Sequence, residues 1–199
     1  IGIASLVCTN LHAATTYYVS TSGNDGNNGT SLGTPWRTIN KAAQTMAAGD
    51  TVYIPRGTYR QSAFPAHDGR SASARITYSA YNGEQVIVTG ADIFTGWAAS
   101  GHAWPIPWTL SLPTYSSELV FRREMVIVDG MVMRAVGTRA EVVPGTFFVE
   151  GSDTAPTAIY LRLPGDAAPT GHNIECAVRH PVFDPGNHAW LRVVGLTFR

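Results

Sequence analysis

The chain has 199 residues, enough for one sizeable domain, and its 44% hydrophobic content with 20 Gly and 12 Pro is typical of a turn-rich β protein. Its 14 basic residues balance 14 acidic ones, so the formal net charge is zero. A neutral chain has no basic field to hold a phosphate backbone, and nucleic acid is therefore not expected as a partner.

The first fourteen residues have the character of a targeting segment. The run Ile1–Cys8 is apolar and uncharged, and small residues lead from it to Ala14. This pattern is typical of the apolar core and cleavage site of a secretory signal, and it is too short to span a bilayer. It predicts a secreted or periplasmic protein whose mature N-terminus lies near residues 13–15. The alternative is a buried first strand.

Removal of this segment would leave Cys176 as the single cysteine, so no intrachain disulfide is expected. Cys176 lies in the alternating stretch 173–178, where a small, packed hydrophobic side chain is the favoured interpretation. No Met precedes Ile1, and the chain stops at Arg199 inside a predicted strand. We therefore expect truncation at both ends.

The first elements along the chain are a strand, a loop and a helix. Thr16–Ser20 is β-branched and aromatic and predicts a strand, and Ser22–Thr30 is a loop rich in Gly and Asn. A helix is predicted over Thr38–Ala48, with Thr38 as N-cap and Gly49 as the C′ residue. Its apolar stripe contains Ile39, Ala42, Ala43 and Met46.

Short strands with a shared pattern follow. Val52–Arg60 and Leu191–Arg199 both place apolar residues two apart, then Gly, an aromatic residue and Arg, and Val86–Gly90 repeats part of the scheme. Such units have no partner strand of their own and become stable when stacked. The pattern favours a parallel stack, with the helix covering its open end, although strands of a β-sandwich look similar.

Residues 97–175 show a different pattern. Asp129-Gly130 between two alternating strands predicts a hairpin, because a type I′ turn needs positive φ at both central residues. Residues 145–150 and 158–163 predict a second antiparallel pair. This region is interpreted as a small antiparallel β insertion.

Residues 17–60 also carry a fixed series of motifs. They are Tyr18-Val19-Ser20, Gly23-Asn24-Asp25, Asn28-Gly29-Thr30, Pro35-Trp36-Arg37-Thr38-Ile39, Ala48-Gly49-Asp50-Thr51-Val52 and Gly57-Thr58-Tyr59. The series closely resembles the N-terminal cap of secreted bacterial right-handed parallel β-helix proteins of the pectate-lyase-like superfamily. Looser similarities beyond it, such as Gly195-Leu196-Thr197-Phe198, resemble the start of β-helix glycoside hydrolases of the β-xylosidase type.

The resemblance implies an all-β fold: a right-handed parallel β-helix N-terminal cap and first coils, one short capping α-helix and a small antiparallel β insertion. It divides the chain into a signal-peptide remnant (1–14), the cap and first coils (15–96), the insertion (97–175) and resumed, truncated coils (176–199). The implied function is carbohydrate processing, by a monomeric glycoside hydrolase or polysaccharide lyase acting on a polysaccharide or oligosaccharide. No membrane contact is implied once the signal is removed.

In such enzymes the catalytic residues lie on later coils. The resemblance therefore assigns no catalytic residue here, and no metal-binding or cofactor-binding residue is assigned either. Calcium is expected only if the whole protein is a lyase, and this chain alone is expected to be inactive. The alternative, from another class, is a non-catalytic surface or carbohydrate-binding β-helix protein, since a fold does not fix a function.

Two groups of residues resemble metal sites in composition, but their sequence context favours other interpretations. The loop Asn24–Asn28 suggests a calcium loop, yet Pro35 stands where the twelfth-position Glu would be needed, so a structural turn is favoured. His180, Asp184 and His188 are four apart, as ligands on a helix would be. The prolines at 181 and 185 exclude that helix, and exposed loop residues are the better interpretation.

Other residues have the chemistry of a sugar site. His67 and Asp68 form a possible acid/base pair on a loop, although adjacent side chains rarely converge on one atom. Glycosidase carboxylates must lie roughly 5–10 Å apart, and sequence alone places no two acids at that distance. The acids considered are Asp92, Glu118 and Glu124, and the aromatic residues that either stack on sugar rings or pack in the insertion are Trp97, Trp104 and Trp108.

Overall fold

The computed structural model describes residues 13–101, 103–107, 125–152, 155–179 and 181–199. Within these ranges the chain is mostly β, with one α-helix, α1 (Ile39–Thr45). The strands are β1 (Thr16–Tyr18), β2 (Thr51–Ile54), β3 (Gly57–Arg60), β4 (Ile76–Ala80), β5 (Val86–Thr89), β6 (Ala91–Ile93), β7 (Trp104–Pro107), β8 (Val126–Val128), β9 (Met131–Val132), β10 (Arg134–Ala135), β11 (Thr146–Ser152), β12 (Ala155–Arg162), β13 (Ile174–Ala177), β14 (Leu191–Val194) and β15 (Leu196–Phe198). They belong to two compact units, one of Ile1–Val88 with Phe183–Phe198 and one of Thr89–Val182 with Arg199.

The first unit contains two sheets, and strands that follow one another in the chain alternate between them. One sheet has the order β1-β2-β4-β14 and the other has the order β15-β5-β3. The pairs β1–β2, β2–β4, β4–β14 and β5–β15 are all parallel, as expected for the strands around Val52 and Val86. The chain therefore passes from the first sheet to the second three times, from β2 to β3, from β4 to β5 and from β14 to β15.

The core of this unit is built by alternation along the strands. Every second residue of β2 and β4 is buried, including Val52, Ile54, Ile76 and Tyr78. The register places Val52 opposite Tyr78, which in turn lies opposite Val193. Apolar residues at equivalent positions are therefore stacked along the sheet.

The prediction placed one strand at the wrong position within the repeat. The sequence pattern aligned Val86–Gly90 with Val52, at the start of a repeat, but β5 pairs with β15 and thus occupies the second position. The first position is taken by β4, which sequence did not align. Short apolar strands in the two positions have the same composition, so periodicity does not distinguish them.

Helix α1 begins as predicted and ends earlier. The hydroxyl of Thr38 accepts a hydrogen bond from Lys41 N at 3.0 Å, which is the N-cap interaction. The helix ends at Thr45 rather than residue 48, because the amide of Ala47 donates to Asp50 Oδ2 at 2.8 Å and not to the helix. Gly49 is therefore not the C′ residue; it lies with φ of 100° in the turn before β2.

The apolar stripe of α1 faces the core. The stripe residues predicted to point inward, Ile39, Ala42 and Met46, are all at most 1% exposed. Outside the stripe, Asn40 and Gln44 hydrogen bond the backbone of Phe64. No helix in the described ranges is long and apolar enough to cross a membrane.

The second unit is mainly antiparallel. One sheet has the order β10-β11-β12-β7 and the other β6-β13-β8-β9. The two predicted hairpins are confirmed: β8 pairs with β9 through Asp129 and Gly130, both with positive φ, and β11 pairs with β12. The antiparallel pairing includes β6, which precedes the segment assigned to the insertion from sequence.

Side chains from both sheets form one core in this unit. Its fully buried members include Val126, Ile159, Leu161 and Cys176. The prediction that Cys176 is a packed hydrophobic side chain on a strand is confirmed.

Candidate functional site

An aspartate and a histidine far apart in sequence meet on the first unit. Asp68 Oδ1 accepts a hydrogen bond from the backbone amide of Ala189 at 2.7 Å and lies 3.3 Å from His188 Nδ1. The Asp68 side chain is 59% exposed and that of His188 30%. Sequence had placed these residues in two separate candidate groups, and the structure joins one member of each.

The strand order explains why these residues meet. Asp68 lies in the loop that leads into β4, and His188 lies in the segment that leads into β14. Because β4 and β14 are parallel neighbours, their entering loops lie side by side. The amide of Gly69 donates to the carbonyl of Ala189 at 2.9 Å, which ties the two loops together.

This environment favours the charged form of Asp68. The pKa of its carboxyl is lowered, first by the hydrogen bond from the Ala189 amide and then by the hydrogen bond and charge of His188, with a smaller contribution from His67. The carboxylate is therefore ionised at neutral pH. It can accept hydrogen bonds from sugar hydroxyls, and it cannot donate a proton as a general acid there.

The pair lacks the other parts of known catalytic arrangements. A nucleophile–base–orienter system needs a hydroxyl or thiol bonded to the imidazole. No such group is bonded to His188 within the described part of the chain. His67 is exposed beside Asp68 and contributes charge without a hydrogen bond to it.

The residues His180, Asp184 and His188, spaced four apart in sequence, do not form a metal site among the described residues. Asp184 Oδ1 accepts from Gly186 N at 2.8 Å in a local turn, whereas His188 contacts Asp68. His180 lies outside the described ranges. Across the ranges that the structure describes, no group of three or more His, Cys, Asp or Glu side chains is arranged to hold a metal ion.

The loop Asn24–Asn28 is tied to the start of α1. Asp25 Oδ1 accepts from the amides of Arg37 and Thr38 at 2.8 and 2.9 Å, and its Oδ2 accepts from the Thr38 hydroxyl at 2.7 Å. Both carboxylate oxygens therefore bind the N-terminus of the helix. This is the geometry of a structural turn.

In the second unit two acids are held by arginines. Asp92 receives a bidentate pair of hydrogen bonds from Arg179, at 2.8 and 2.7 Å, and Glu175, which is 1% exposed, lies 3.3 Å from Arg199. Sequence alternation gave no sign that Glu175 is buried.

These two acids do not face each other. The register pairs Cys176 with Asp92 and Glu175 with Ile93, so Asp92 and Glu175 lie on opposite faces of their sheet. Asp92 and Glu175 therefore do not form a glycosidase pair. Of the acids considered from sequence, Glu118 and Glu124 lie outside the described residues.

The described tryptophans of the insertion have structural contacts. Trp97 packs on the core of the second unit and donates its Nε1 hydrogen to the carbonyl of Phe94 at 3.1 Å. Trp104 lies on β7 opposite Leu161, and Trp108 is not among the described residues. Packing thus accounts for Trp97.

A second carboxylate–imidazole pair was not anticipated from sequence. Asp129, in the turn between β8 and β9, lies 2.6 Å from His172 Nδ1 and also accepts from Asn173 N at 2.9 Å. These two hydrogen bonds lower the pKa of Asp129. The contacts fix the hairpin turn to a neighbouring loop, so we assign them a structural role.

Comparisons with known proteins give a partial family match and a fold likeness. Residues 21–66 match a family described as a protein of unknown function, DUF1565. The uncharacterized protein YwoF of Bacillus subtilis (strain 168) is 38% identical over 76 residues, which are 38% of this chain and 16% of that protein.

Two solved structures share the fold. The complex structure of XylC with xylose superimposes with a TM-score of 0.75 at 23% identity, covering 89% of this chain and 34% of that one. A glycoside hydrolase superimposes with a TM-score of 0.61 at 13% identity, covering 93% of this chain and 50% of that one. The chain thus spans half or less of the length of the proteins it matches.

Proposed function

We propose that this chain is the N-terminal part of a carbohydrate-active protein built on a right-handed parallel β-helix, either a glycoside hydrolase or a polysaccharide lyase. The observation that carries the proposal is the alternation of β2–β3, β4–β5 and β14–β15 between the same two sheets. Each pair with its turns then makes one coil, and parallel pairing stacks the coils. A right-handed path is expected because parallel crossovers almost always have that hand.

Strands β14 and β15 expose apolar side chains at positions that are buried in the strands they pair with. Val193 and Phe198 are 39% and 41% exposed, whereas their register partners Tyr78 and Val88 are at most 1% exposed. An exposed apolar strand edge is a site for further pairing. In the proposed architecture a following coil of the same protein stacks here, which agrees with the share of the solved structures that this chain spans.

The carbohydrate class rests on the likeness to the structure of XylC with xylose and to a glycoside hydrolase structure, and on the resemblance in residues 17–60. In the second unit Asp92 and the buried Glu175 are paired with Arg179 and Arg199, which supports the proposal that the catalytic groups lie on coils beyond these residues. The same observation favours one alternative, a non-catalytic carbohydrate-binding β-helix protein.

The test is an activity assay on the whole protein beside this chain alone, with xylo-oligosaccharides, pectate and alginate as substrates. Release of reducing sugars from neutral oligosaccharides supports a hydrolase, and unsaturated uronate products that disappear with a calcium chelator support a lyase. Binding without turnover supports the alternative. Turnover by this chain alone, abolished by Asp68→Ala or Asp92→Ala, contradicts the placement of the active site beyond it.

We also propose that the protein is exported. The apolar segment before Ala14 supports this, and the predicted mature N-terminus lies near residues 13–15. Mass spectrometry of the exported protein measures that terminus. A mature protein that retains Ile1 contradicts the proposal.

A further inference from the structure

Trp190 combines high exposure with a fixed, unfavourable backbone. Trp190 is 47% exposed, and its backbone φ is +59°. Bulky residues rarely adopt this conformation, which persists only where the surroundings impose it. An exposed tryptophan held in this way is unusual, since packing gains do not explain it.

The neighbouring loops impose this conformation. The carbonyl of Trp190 accepts a hydrogen bond from Ile76 N at 3.1 Å, at the point where β4 begins. Gly69 lies directly against Trp190: a Cβ at Gly69 would be 2.5 Å from Trp190 O and 2.6 Å from its Cβ. Residue 69 therefore has to be glycine for the two loops to approach, and Trp190 is brought next to Asp68.

Polar groups at the same place have hydrogen-bonding capacity left. Asp68 uses Oδ1 for both Ala189 and His188, and its Oδ2 bonds no group in the described ranges. The Nε2 of His188 and the indole Nε1 of Trp190 likewise bond no described residue. The Asp68 carboxylate, the His188 imidazole and the exposed Trp190 indole therefore lie on two loops that Gly69 and Ala189 hold together, and each keeps an unused hydrogen-bonding atom.

We propose that Trp190, Asp68 and His188 form a binding subsite for a neutral oligosaccharide, which deepens and rests on the function proposed above. A sugar ring has an apolar C–H face that packs on an indole, and hydroxyls at its rim that bond a carboxylate and an imidazole. The ionised carboxylate of Asp68 disfavours uronates by charge repulsion. The subsite is a positioning surface on a coil-entry loop, and it performs no bond cleavage.

The experiment measures binding of xylohexaose and of hexagalacturonate to the full chain by titration calorimetry. Trp190→Ala is expected to weaken xylohexaose binding about tenfold or more, and Trp190→Tyr to weaken it less, because a ring face is retained. Asp68→Asn keeps the acceptor for Ala189 and is expected to weaken binding severalfold. Phe64→Ala is the matched control, since Phe64 is a 42% exposed aromatic residue on the same unit, and its affinity should equal that of the parent.

Each outcome decides the inference. Parent-like binding by Trp190→Ala, a parent that binds neither sugar, or tighter binding of hexagalacturonate overturns it. If Trp190→Ala loses its native circular dichroism spectrum, Trp190→Tyr and Asp68→Asn carry the test. The activity assay on the whole protein is independent, so failure here leaves the proposed carbohydrate function standing, and failure there does not alter these affinities.

Discussion

Asp50 links three parts of the first unit, and its removal gives a quantitative test of the fold. The residue is 1% exposed; its Oδ1 accepts from the amide of Thr15 at 2.7 Å and its Oδ2 from that of Ala47 at 2.8 Å. Thr15 precedes β1, Ala47 follows α1, and Asp50 precedes β2. One carboxylate therefore joins the entry to the first strand, the end of the helix and the entry to the second strand.

The size of the effect follows from these bonds. Asp50→Ala leaves two partly buried backbone amides without their acceptor. An unsatisfied donor that is fully buried costs about 1–3 kcal/mol, and these two should each cost less because water can reach them. Loss of the buried charge also removes its desolvation penalty, which offsets part of this cost. We expect the free energy of unfolding to fall by about 1–3 kcal/mol. Asp50→Asn retains one acceptor oxygen and should lose less.

Urea unfolding followed by circular dichroism measures the free energy, and hydrogen exchange of the Thr15 and Ala47 amides locates the effect. The control is Asp184→Ala, because Asp184 lies on the same unit and its Oδ1 accepts only a local hydrogen bond from Gly186. If Asp50→Ala costs no more than this control, or if both amides keep their protection, the proposed role of the carboxylate is refuted.

Two further predictions concern the second unit. Because the pKa of Asp129 is lowered in the folded state, its contribution to stability is present above the ordinary value of about 3.9 and is lost as the pH falls through the folded pKa. Asp129→Asn should therefore lower the urea midpoint at neutral pH, and its difference from the parent should shrink as the pH falls below that ordinary value; a pH-independent difference would show that His172 and the turn act without charge. Burial raises the pKa of the Cys176 thiol to about 12, so in a Cys8→Ser variant the folded protein should not react with a thiol reagent at a pH of about 8 until urea unfolds it. Rapid reaction of the folded variant would contradict the burial of Cys176.

Features set by neighbouring residues were predictable from the sequence. The N-cap at Thr38 and the turn at Asp129-Gly130 depend on side-chain and backbone preferences within a few residues, and both occur as predicted. The end of α1 was not predictable in this way, because Ala43 O accepts from Ala66 N and Ala47 N is bound by Asp50. The Asp50 contact is local, but the contact from Ala66 comes from a distant loop and leaves no signal in the local pattern.

The candidate site was decided by the tertiary structure alone. Asp68 and His188 are 120 positions apart, and only the parallel pairing of β4 with β14 places their loops together. The pairing of the buried Glu175 with Arg199 likewise joins separate strands, and local alternation does not reveal it. Sequence determined which short segments form strands and turns, because those choices are local. Which strands become neighbours depends on long-range pairing, and the pairing of β4 with β14 brings the loops of Asp68 and Trp190 together.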